Sequence, residues 1–408
     1  MNYQCRHCSE SLQNEVIDLG NQPFSNAYLN ESDLKKPEIT FPLKVFLCKK
    51  CWLLQVPAYE KPEVLFNEDY AYFSSTSTTW LRHASKFVDK TVNRFNLNIK
   101  SNILEIASND GYLLQYFNKK GINNVGIEPT KAAANEALKK GVKTIQRFFS
   151  SDFAHELKAS NPRYEKGFDL IILNNVLAHV PDINDFIKGL SIALKSDGKI
   201  SIEFPHLYNL IKYCQFDTIY HEHFSYLSLN FLNRLANFAN LKIFDVEELS
   251  THGGSLRVWM CHHKYEYKIN PSVNIILQKE KFFRLESLGR YINFQKKALT
   301  IKNSFLKFLI NSYEKNKKII GYGAAAKGNT LLNYAGIKND LISHIADKSI
   351  SKQGKYMPGS HIPIISPEIL NEMQFDKLLV LPWNIVKEVK NDFREKELIT
   401  VMPEIKKW

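Results

Sequence analysis

Apolar runs that alternate with small or polar turns and with helical patterns dominate the middle of the chain. The apolar run at residues 103–106 predicts a buried strand, residues 107–111 a turn, and the apolar positions within 112–117 the inner face of a helix. Further elements are predicted as strands at 124–129, 168–174 and 198–204 and as helices at 79–95 and 132–140. Strands that alternate with helices indicate a parallel sheet, so we expect a Rossmann-like α/β domain.

A shorter alternation of the same kind follows near the carboxyl terminus. Residues 279–316 have a helical pattern among many lysines, which predicts a connecting helix or pair of helices. The elements predicted after it are a strand at 318–322, a small-residue turn at 321–328 (GYGAAAKG), a helix at 329–335, and strands ending near Asp347 and Trp383. This order predicts a second, smaller Rossmann-like unit. Its turn could receive a phosphate beside Lys327 at a helix amino terminus, or could simply pack a strand against a helix.

The amino-terminal segment carries two Cys-x-x-Cys pairs, Cys5 with Cys8 and Cys48 with Cys51. Four thiolates complete the tetrahedral shell of Zn²⁺ and leave no position for water, so a structural zinc ion is predicted. Because the segment is too short to bury a large core, we expect metal binding to supply much of its folding free energy. The alternatives are a redox Cys-x-x-Cys or four unconnected thiols.

The composition is that of a globular protein, with 44% hydrophobic and 24% charged residues in a chain of 408. No apolar run is long enough to span a bilayer and the first residues are polar, so we expect a cytoplasmic protein with no membrane partner. The net charge of +12 comes from lysines spread along the chain. Nucleic-acid binding favours an aromatic-interleaved basic block instead, so no nucleic-acid partner is predicted. A basic pocket for an anionic small molecule accounts for the charge equally well.

The turn at residues 105–111 has the pattern Glu-x-Ala-x-Asn-x-Gly, with a single glycine. It lacks the Gly-x-Gly-x-x-Gly that cradles a pyrophosphate, whereas Glu128 ends a neighbouring strand, where a carboxylate can bind two ribose hydroxyls. An adenosyl ligand without phosphates, S-adenosylmethionine, fits this combination, and an α/β core without a ligand is the alternative. Asn174, Asn175 and His179 follow the next central strand, on the side where open α/β sheets bind ligands.

Residues 216–226 (FDTIYHEHFSY) form the densest chemical cluster of the chain, with two histidines, a glutamate and a tyrosine in four consecutive positions. We predict an active site in which His223 accepts a proton near neutral pH and Tyr220 hydrogen-bonds a substrate oxygen. Glu222 or His221 would orient the site. A metal site is the alternative, but neighbouring residues in an extended segment point to opposite sides, so Glu222 could not share a face with both histidines.

Two other segments offer polar or close-approach positions. Residues 68–80 (EDYAYFSSTSTTW) cluster tyrosines and hydroxyls, among them Tyr70, Tyr72 and Ser74, which could line a site or form a plain linker. Residues 252–257 (HGGSLR) place two glycines before an apolar strand. The backbone there could approach a ligand or form a bulge.

Several motifs occur in a fixed order along almost the whole chain: the paired Cys-x-x-Cys, EIASNDG, NNVLAHV, YHEHFSY, GGSLR and GYGAAAKGN. In this order they resemble the nucleotide-sugar C-methyltransferases of deoxysugar pathways. The resemblance implies a zinc-binding domain at residues 1–70, an S-adenosylmethionine-binding methyltransferase domain at 71–282 and a smaller Rossmann-like nucleotide-sugar-binding domain at 283–408. It also implies methyl transfer to C-3 of a 4-keto-deoxysugar carried on a nucleoside diphosphate, usually dTDP.

The resemblance also implies the site residues, with His223 as the leading candidate for the general base. The predicted catalytic residues are His223, Tyr220, Glu222, His179 and Tyr72. The predicted cofactor-binding residues are Ser74, Glu105, Ala107, Asn109, Gly111, Tyr112, Leu113, Glu128, Pro129, Asn174 and Asn175, and the predicted zinc ligands are Cys5, Cys8, Cys48 and Cys51. Proton removal beside a ketone gives an enolate, which requires a base near C-3 and donors near the C-4 oxygen.

Two other functions are compatible with parts of the sequence. An O- or N-methyltransferase acting on a nucleotide-sugar or another small molecule would use the same cofactor site without needing a ketone. A zinc ribbon that binds nucleic acid or a partner protein through a basic surface would show steeply salt-dependent affinity, but it gives the Tyr-His-Glu-His run no role. We expect a monomer that acts on a nucleotide-diphosphate sugar.

Overall fold

The computed structural model describes residues 3–65 and 73–408. The strands, in chain order, are β1 (Asn14–Gln22), β2 (Phe41–Leu47), β3 (Leu54–Gln55), β4 (Asn102–Ile106), β5 (Asn123–Ile127), β6 (Thr144–Ile145), β7 (Phe168–Asn174), β8 (Leu194–Pro205), β9 (Ser225–Tyr226), β10 (Leu241–Leu249), β11 (Ser255–His262), β12 (Ile319–Tyr322), β13 (Ile345–Ala346), β14 (Ile364–Ile365), β15 (Lys377–Val380), β16 (Glu397–Thr400) and β17 (Lys406–Lys407). The helices are α1 (Pro62–Leu65), α2 (Thr78–Phe95), α3 (Leu114–Asn118), α4 (Lys131–Lys139), α5 (Ser151–Ala159), α6 (Ile183–Ala193), α7 (Leu207–Lys212), α8 (Leu229–Phe238), α9 (Pro271–Phe282), α10 (Phe294–Glu314), α11 (Ala326–Ala335), α12 (Pro367–Glu372) and α13 (Val386–Asp392).

The central sheet has the strand order β10-β11-β8-β7-β4-β5-β6. Its strands run parallel from β8 to β6, and β11 is antiparallel to both of its neighbours. Alternate residues of β4 enter opposite cores: Leu104 and Ile106 pack in a cluster with α5, α6 and α8, and Ile103 packs in a cluster with α2 and α3. Helices therefore cover both faces, which explains why the central strands are apolar throughout. The predicted Rossmann-like α/β domain is confirmed.

The two strands that follow β4 in the chain, β5 and β6, lie on one side of it in the sheet, and the next strand, β7, lies on its other side. The carboxyl ends of β4 and β7 therefore open a crevice of the kind in which open α/β sheets bind ligands. Helix α2 begins beside this crevice, where the Ser77 hydroxyl accepts the N–H of Trp80 at 3.2 Å and caps the helix. The predicted helix at 79–95 corresponds closely to α2.

The carboxyl-terminal sheet has the order β14-β13-β12-β15-β16-β17, parallel except for β17. The predicted second, smaller Rossmann-like unit is therefore confirmed, with its own change of direction at β12. A pair of helices, α9 and α10, connects it to the central sheet. Helix α9 begins at Pro271, earlier than predicted, because the Asn270 side chain caps it and Pro271 suits a first helical position.

The amino-terminal module, defined as residues 3–65, contains a small antiparallel sheet with the order β1-β2-β3-β9. Its last strand comes from residues 216–226, which we call the histidine-rich segment, since Leu54 pairs with Tyr226 and Gln55 with Ser225. The histidine-rich segment thus completes the sheet of the amino-terminal module. The sequence does not predict that this segment joins the sheet, because a two-residue strand has no periodicity.

The amino-terminal module also packs against the carboxyl-terminal unit. Val45 and Leu47 of β2 share a buried cluster with Phe305 and Leu309 of α10 and with Leu331 of α11. The three units therefore meet around the histidine-rich segment. Within residues 3–65 and 73–408, no helix is long and apolar enough to cross a membrane.

Candidate active site

The four cysteines predicted as zinc ligands lie together in the amino-terminal module. Their sulfur atoms are all within 4.8 Å of one another, with 3.5 Å between those of Cys5 and Cys51 and between those of Cys8 and Cys48. Two sulfurs bound tetrahedrally to one zinc ion are about 3.8 Å apart, so the arrangement fits a single ion with four thiolates. Gln55 Nε2 lies 3.2 Å from Cys5 Sγ and donates to it, which favours the thiolate form.

The turn after β4 has an unusual backbone. Ala107, Asn109 and Gly111 all have positive φ angles, of 52°, 50° and 73°. A Cβ on Gly111 would lie 2.9 Å from Val142 Cγ2, so only glycine fits there. Non-glycine residues in this region cost about 1–3 kcal/mol each, and such strain is typical of turns that hold a ligand.

Glu128 closes this turn from the end of β5. Its Oε2 accepts the Asn109 N–H at 2.9 Å, and its Oε1 accepts the N–H and hydroxyl of Thr130 at 2.9 and 2.6 Å. Burial raises the pKa of this carboxyl above its ordinary value. Protein donors occupy three of its roughly four acceptor positions. One acceptor position is left without a donor among the described contacts, and the predicted binding of ribose hydroxyls by Glu128 stays a prediction.

Asp110 was not among the predicted site residues, yet it ties the segment before α2 to the turn. Its carboxylate accepts from the Ser75 hydroxyl, from the Ser75 N–H at 3.3 Å and from the Lys140 ammonium at 2.9 Å. Asn109 Oδ1 accepts the Ser74 N–H at 2.9 Å, so Ser74 lies beside the turn, and its predicted role in cofactor binding stays a prediction. The only signal for Asp110 in the sequence is its place beside a turn glycine at the end of a predicted strand.

Buried acceptors without a hydrogen-bond partner among the described residues lie at the carboxyl ends of β4 and β7. Among them are Asp110 Oδ1, Asn174 Oδ1 and Asn175 Oδ1, and the Glu105 carboxyl oxygens and the Ser108 hydroxyl belong to the same set. Asn174 uses its amide N–H to donate to the Tyr112 hydroxyl at 3.1 Å. S-adenosylmethionine brings an ammonium, two ribose hydroxyls and an adenine amine, which are the donors that such acceptors require. The residues of this crevice therefore fit an adenosyl ligand without phosphates.

The other predicted cofactor residues lie at the same edge of the sheet. Glu105 is 1% exposed, and burial raises the pKa of its carboxyl well above the ordinary value. Leu113 is fully buried and Pro129 is half-buried. Trp80 was not predicted, but its ring stacks on that of Tyr112 at 5.9 Å. An aromatic surface therefore borders the crevice.

His223 has the geometry of a neutral base. Its Nδ1 lies 3.0 Å from the carbonyl oxygen of Thr218, which places the proton on Nδ1 and leaves Nε2 as an acceptor. Its ring lies 3.9 Å from the Tyr220 ring and 4.6 Å from the His179 ring, measured between centroids. Burial and the neighbouring His179 hold the pKa of His223 well below its ordinary value.

His179 is joined directly to the same segment. Its Nδ1 lies 2.7 Å from the carbonyl oxygen of Glu222, and burial lowers its pKa to about 4. The structure thus brings together three of the predicted catalytic residues, His223, Tyr220 and His179. Tyr72, with Tyr70, lies outside the described residues.

The side chains of Glu222 and His221 face the amino-terminal module. The Glu222 carboxylate accepts from the Ser25 hydroxyl at 3.0 Å, and His221 Nε2 lies 3.2 Å from the carbonyl oxygen of Phe41. Neither side chain has a hydrogen bond to His223 among the described contacts. The sequence predicts Glu222 among the catalytic residues, with Glu222 or His221 orienting the site. In the structure the Glu222 carboxylate holds the segment to the amino-terminal module, and its catalytic role stays a prediction.

The carboxyl-terminal unit contacts the histidine-rich segment and lines the candidate site beside it. Asp217 accepts the indole N–H of Trp383 at 2.7 Å, and burial raises the pKa of its carboxyl to about 6. The Lys327 ammonium lies 2.7 Å from Asn384 Oδ1 and 4.8 Å from the centre of the Trp383 ring. A Cβ on Gly253 would lie 2.3 Å from a Trp383 ring carbon, so the backbone at HGGSLR packs closely against this indole, where the sequence predicts an approach to a ligand or a bulge.

The chain is similar to known methyltransferases along most of its length. Residues 250–402 match the family model of the C-methyltransferase C-terminal domain, residues 80–246 a methyltransferase domain and residues 5–66 a zinc-binding domain. C-methyltransferase NovU of Streptomyces niveus is 32% identical over 392 residues, which cover 96% of this chain and 92% of NovU. This chain belongs to the C-methyltransferase family. It is an S-adenosylmethionine-dependent C-methyltransferase, with its cofactor crevice in the central sheet and its zinc site in the amino-terminal module.

Solved methyltransferase structures show more distant similarity. A 1,6-didemethyltoxoflavin-N1-methyltransferase from Burkholderia thailandensis is 16% identical and covers 52% of this chain and 94% of its own, with a TM-score of 0.37. Magnesium protoporphyrin IX methyltransferase from Synechocystis PCC 6803 is 11% identical and covers 51% of this chain and 100% of its own, with a TM-score of 0.36. Similarity at these TM-scores carries no argument about substrate or mechanism.

Proposed function

We propose that this enzyme transfers the methyl group of S-adenosylmethionine to C-3 of a 4-keto-deoxysugar carried on a nucleoside diphosphate, with dTDP as the expected carrier. The observation that carries the proposal is the arrangement around His223. A neutral imidazole lies against the Tyr220 ring, and no residue that the structure describes hydrogen-bonds its Nε2. Methylation at carbon requires a carbanion equivalent. A proton beside a ketone is acidic enough for a neutral imidazole to remove in such a site.

In the proposed mechanism, His223 Nε2 takes the proton from C-3, and the electron pair of the C–H bond moves into the enolate. Tyr220 donates a hydrogen bond to the C-4 oxygen, where negative charge accumulates. S-adenosylmethionine, when bound, supplies the electrophilic methyl group. The Thr218 carbonyl keeps the proton of His223 on Nδ1. Because burial holds the pKa of His223 well below its ordinary value, the base is uncharged at neutral pH.

The residues of the carboxyl-terminal unit that line the site favour an anionic substrate. Lys327 lies in the first turn of α11, where the helix dipole also favours an anion. Its hydrogen-bond partner Asn384 is neutral, and among the described residues only the charge of Asp217 raises its pKa, so part of its positive charge stays available for a ligand. A diphosphate near this lysine would hold the sugar against the histidine-rich segment. This placement would also account for part of the net charge of +12.

The test is incubation of the purified enzyme with S-adenosylmethionine and a dTDP-4-keto-deoxysugar in heavy water, followed by mass spectrometry of the sugar. We expect a product with one added methyl group at carbon, and deuterium exchange at C-3 when the cofactor is omitted. The matched control is the corresponding 4-hydroxy sugar, which cannot form the enolate and should remain unmethylated. Methylation of the 4-hydroxy sugar at oxygen would contradict the proposal.

A further inference from the structure

We propose that Arg6 is a positioning residue that couples the zinc site to the loops carrying His223 and His179. Arg6 lies between the first two zinc-binding cysteines, in the segment 5–8 that we call the zinc knuckle. The proposal rests on the proposed function in one respect, the role of His223 as the base. It gives the zinc-binding module a part in turnover as well as in folding.

The guanidinium of Arg6 contacts segments that lie far apart in the sequence. Its Nη1 donates to the carbonyl oxygen of Pro181 at 3.1 Å and its Nη2 to that of Val56 at 2.5 Å. Its central carbon lies 5.2 Å from the centre of the Phe224 ring. Phe224 follows His223 directly, and Pro181 is the second residue after His179. One side chain therefore touches both histidine-bearing loops.

Two of the segments that Arg6 contacts are also hydrogen-bonded to each other through their backbones. The N–H of Val56 donates to the carbonyl oxygen of Phe224 at 3.0 Å, next to the pairing of β3 with β9. Arg6 thus holds the end of β3 through one amino group and the loop after His179 through the other. A planar guanidinium can donate in these two fixed directions while its face covers an aromatic ring, whereas an ammonium is a point donor.

A second residue of the zinc knuckle makes an independent contact with the same region. His7 Nδ1 lies 2.7 Å from Asn184 Oδ1, and Asn184 Nδ2 donates to the carbonyl oxygen of His7 at 2.8 Å. Asn184 lies in the first turn of α6, close after Pro181. The zinc knuckle is therefore held by its two central residues, Arg6 and His7, to the chain that follows His179.

Zinc would make this coupling rigid, since an ion bound by Cys5 and Cys8 fixes the two residues between them. Gln55 extends the link, because it donates to Cys5 Sγ and its backbone pairs with Ser225 in β9. Displacement of a base by about 1 Å lowers turnover roughly a hundredfold. A loosened knuckle should thus lower kcat without weakening cofactor binding, because the cofactor crevice lies in the central sheet.

The test compares Arg6→Lys with Arg163→Lys, a control that changes an exposed arginine whose guanidinium also donates to a backbone carbonyl, that of Ile99 at 3.0 Å. Zinc content, S-adenosylmethionine affinity, kcat, KM and the imidazole ¹⁵N resonances are measured for each. Signals of His223 and His179 are assigned by their loss in His223→Asn and His179→Asn. In Arg6→Lys we expect full zinc content and normal cofactor affinity, shifted or broadened signals of both histidines, and a fall in kcat of about tenfold or more with little change in KM. Arg163→Lys should match the wild type.

Unchanged histidine resonances in zinc-replete Arg6→Lys would overturn the proposal. If that variant loses zinc or unfolds, Asn184→Ala removes only the second contact of the knuckle and must shift the same resonances, or the proposal fails. The resonances are measured without substrate, so the proposal for Arg6 and the proposed function can fail independently of each other. Shifted signals in an enzyme that methylates no 4-keto-sugar would contradict the substrate assignment and leave the role of Arg6 standing.

Discussion

The turn after β4 and the turn after β12 are built alike and differ in the charge around them. In each, a carboxylate at the end of the adjacent parallel strand accepts an N–H of the turn: Glu128 Oε2 from Asn109 at 2.9 Å, and Asp347 Oδ2 from Ala324 at 2.7 Å. The first turn is bordered by buried acceptors, and its nearest ammonium, that of Lys140, is paired with Asp110. The second is followed by Lys327.

This difference separates two kinds of ligand that the same backbone arrangement could hold. Acceptors without partners suit a ligand rich in donors, such as S-adenosylmethionine, and a lysine at a helix amino terminus suits an anion. The carbonyl oxygen of Ala324 already accepts from the Tyr28 hydroxyl at 2.6 Å and from Lys352 at 2.8 Å. The second turn is therefore braced by protein contacts, and the proposed binding of a diphosphate there would depend on Lys327. Four predictions test this division.

The largest effect is expected for Glu128→Ala in the first turn. Removing the carboxylate leaves the N–H groups of Asn109 and Thr130 without partners and deletes a ribose acceptor. Losing a hydrogen bond between the ribose and a charged carboxylate costs about 1.5–3 kcal/mol, so the Kd of S-adenosylmethionine measured by calorimetry should rise by roughly ten- to a hundredfold. The control is Glu136→Ala, a partly exposed glutamate on α4. Unchanged cofactor affinity in Glu128→Ala would contradict the assignment of the first turn.

The next effect is expected for Lys327→Met in the second unit. Losing a charge-assisted contact of about 1.5–3 kcal/mol should raise the KM for the nucleotide-sugar tenfold or more and leave the affinity for S-adenosylmethionine unchanged. Lys387→Met, an exposed lysine on α13, is the matched control. A KM equal to that of the wild type would show that the diphosphate binds elsewhere.

Smaller effects are expected from pH, and they should run in opposite directions for the two turns. Cofactor binding should weaken in acid, and the KM for the sugar should rise in alkali. Burial raises the pKa of Glu128, so acidification removes its negative charge earlier than for an ordinary glutamate and weakens cofactor binding. Burial lowers the pKa of Lys327, so alkalisation removes its positive charge earlier than for an ordinary lysine and raises the KM for the sugar. Titration of both constants checks this, and Lys327→Arg should abolish the alkaline rise because arginine stays charged.

The smallest effect is expected for Asp347→Asn. The amide oxygen can still accept the Ala324 N–H, but the bond from the Ser349 N–H to the other carboxylate oxygen, at 2.8 Å, is lost. We expect a loss of about 1 kcal/mol in the free energy of unfolding and less than about a threefold change in KM. A large rise in KM would mean that Asp347 contacts the substrate directly, and the second turn would then resemble the first.

The features that the sequence predicts well are local ones. The strand, turn and helix around Gly111 follow one another within a short stretch, and the paired Cys-x-x-Cys spacing reports a zinc site directly. Both alternations of strands and helices gave the α/β architecture. In each case the signal lies in residues that are neighbours in the chain.

The features that the sequence does not predict join distant segments. The pairing of β3 with β9, the contacts of Arg6 and the bonds of Asp110 to Ser75 all depend on tertiary packing, which leaves no periodic signal. The run from Tyr220 to His223 indicates one site, yet its side chains divide into two pairs. Tyr220 and His223 lie together, whereas His221 and Glu222 face the amino-terminal module. Adjacent side chains point in different directions, so only the folded structure shows which residue faces which partner.

The most direct test of the central claim is deuterium exchange at C-3 of the 4-keto-sugar catalysed by His223→Asn in heavy water, with cofactor affinity measured on the same sample. If His223 is the base, S-adenosylmethionine binding stays close to that of the wild type, while exchange and turnover fall by roughly a hundredfold or more. Exchange at the wild-type rate in a variant that still binds the cofactor would remove His223 from the mechanism.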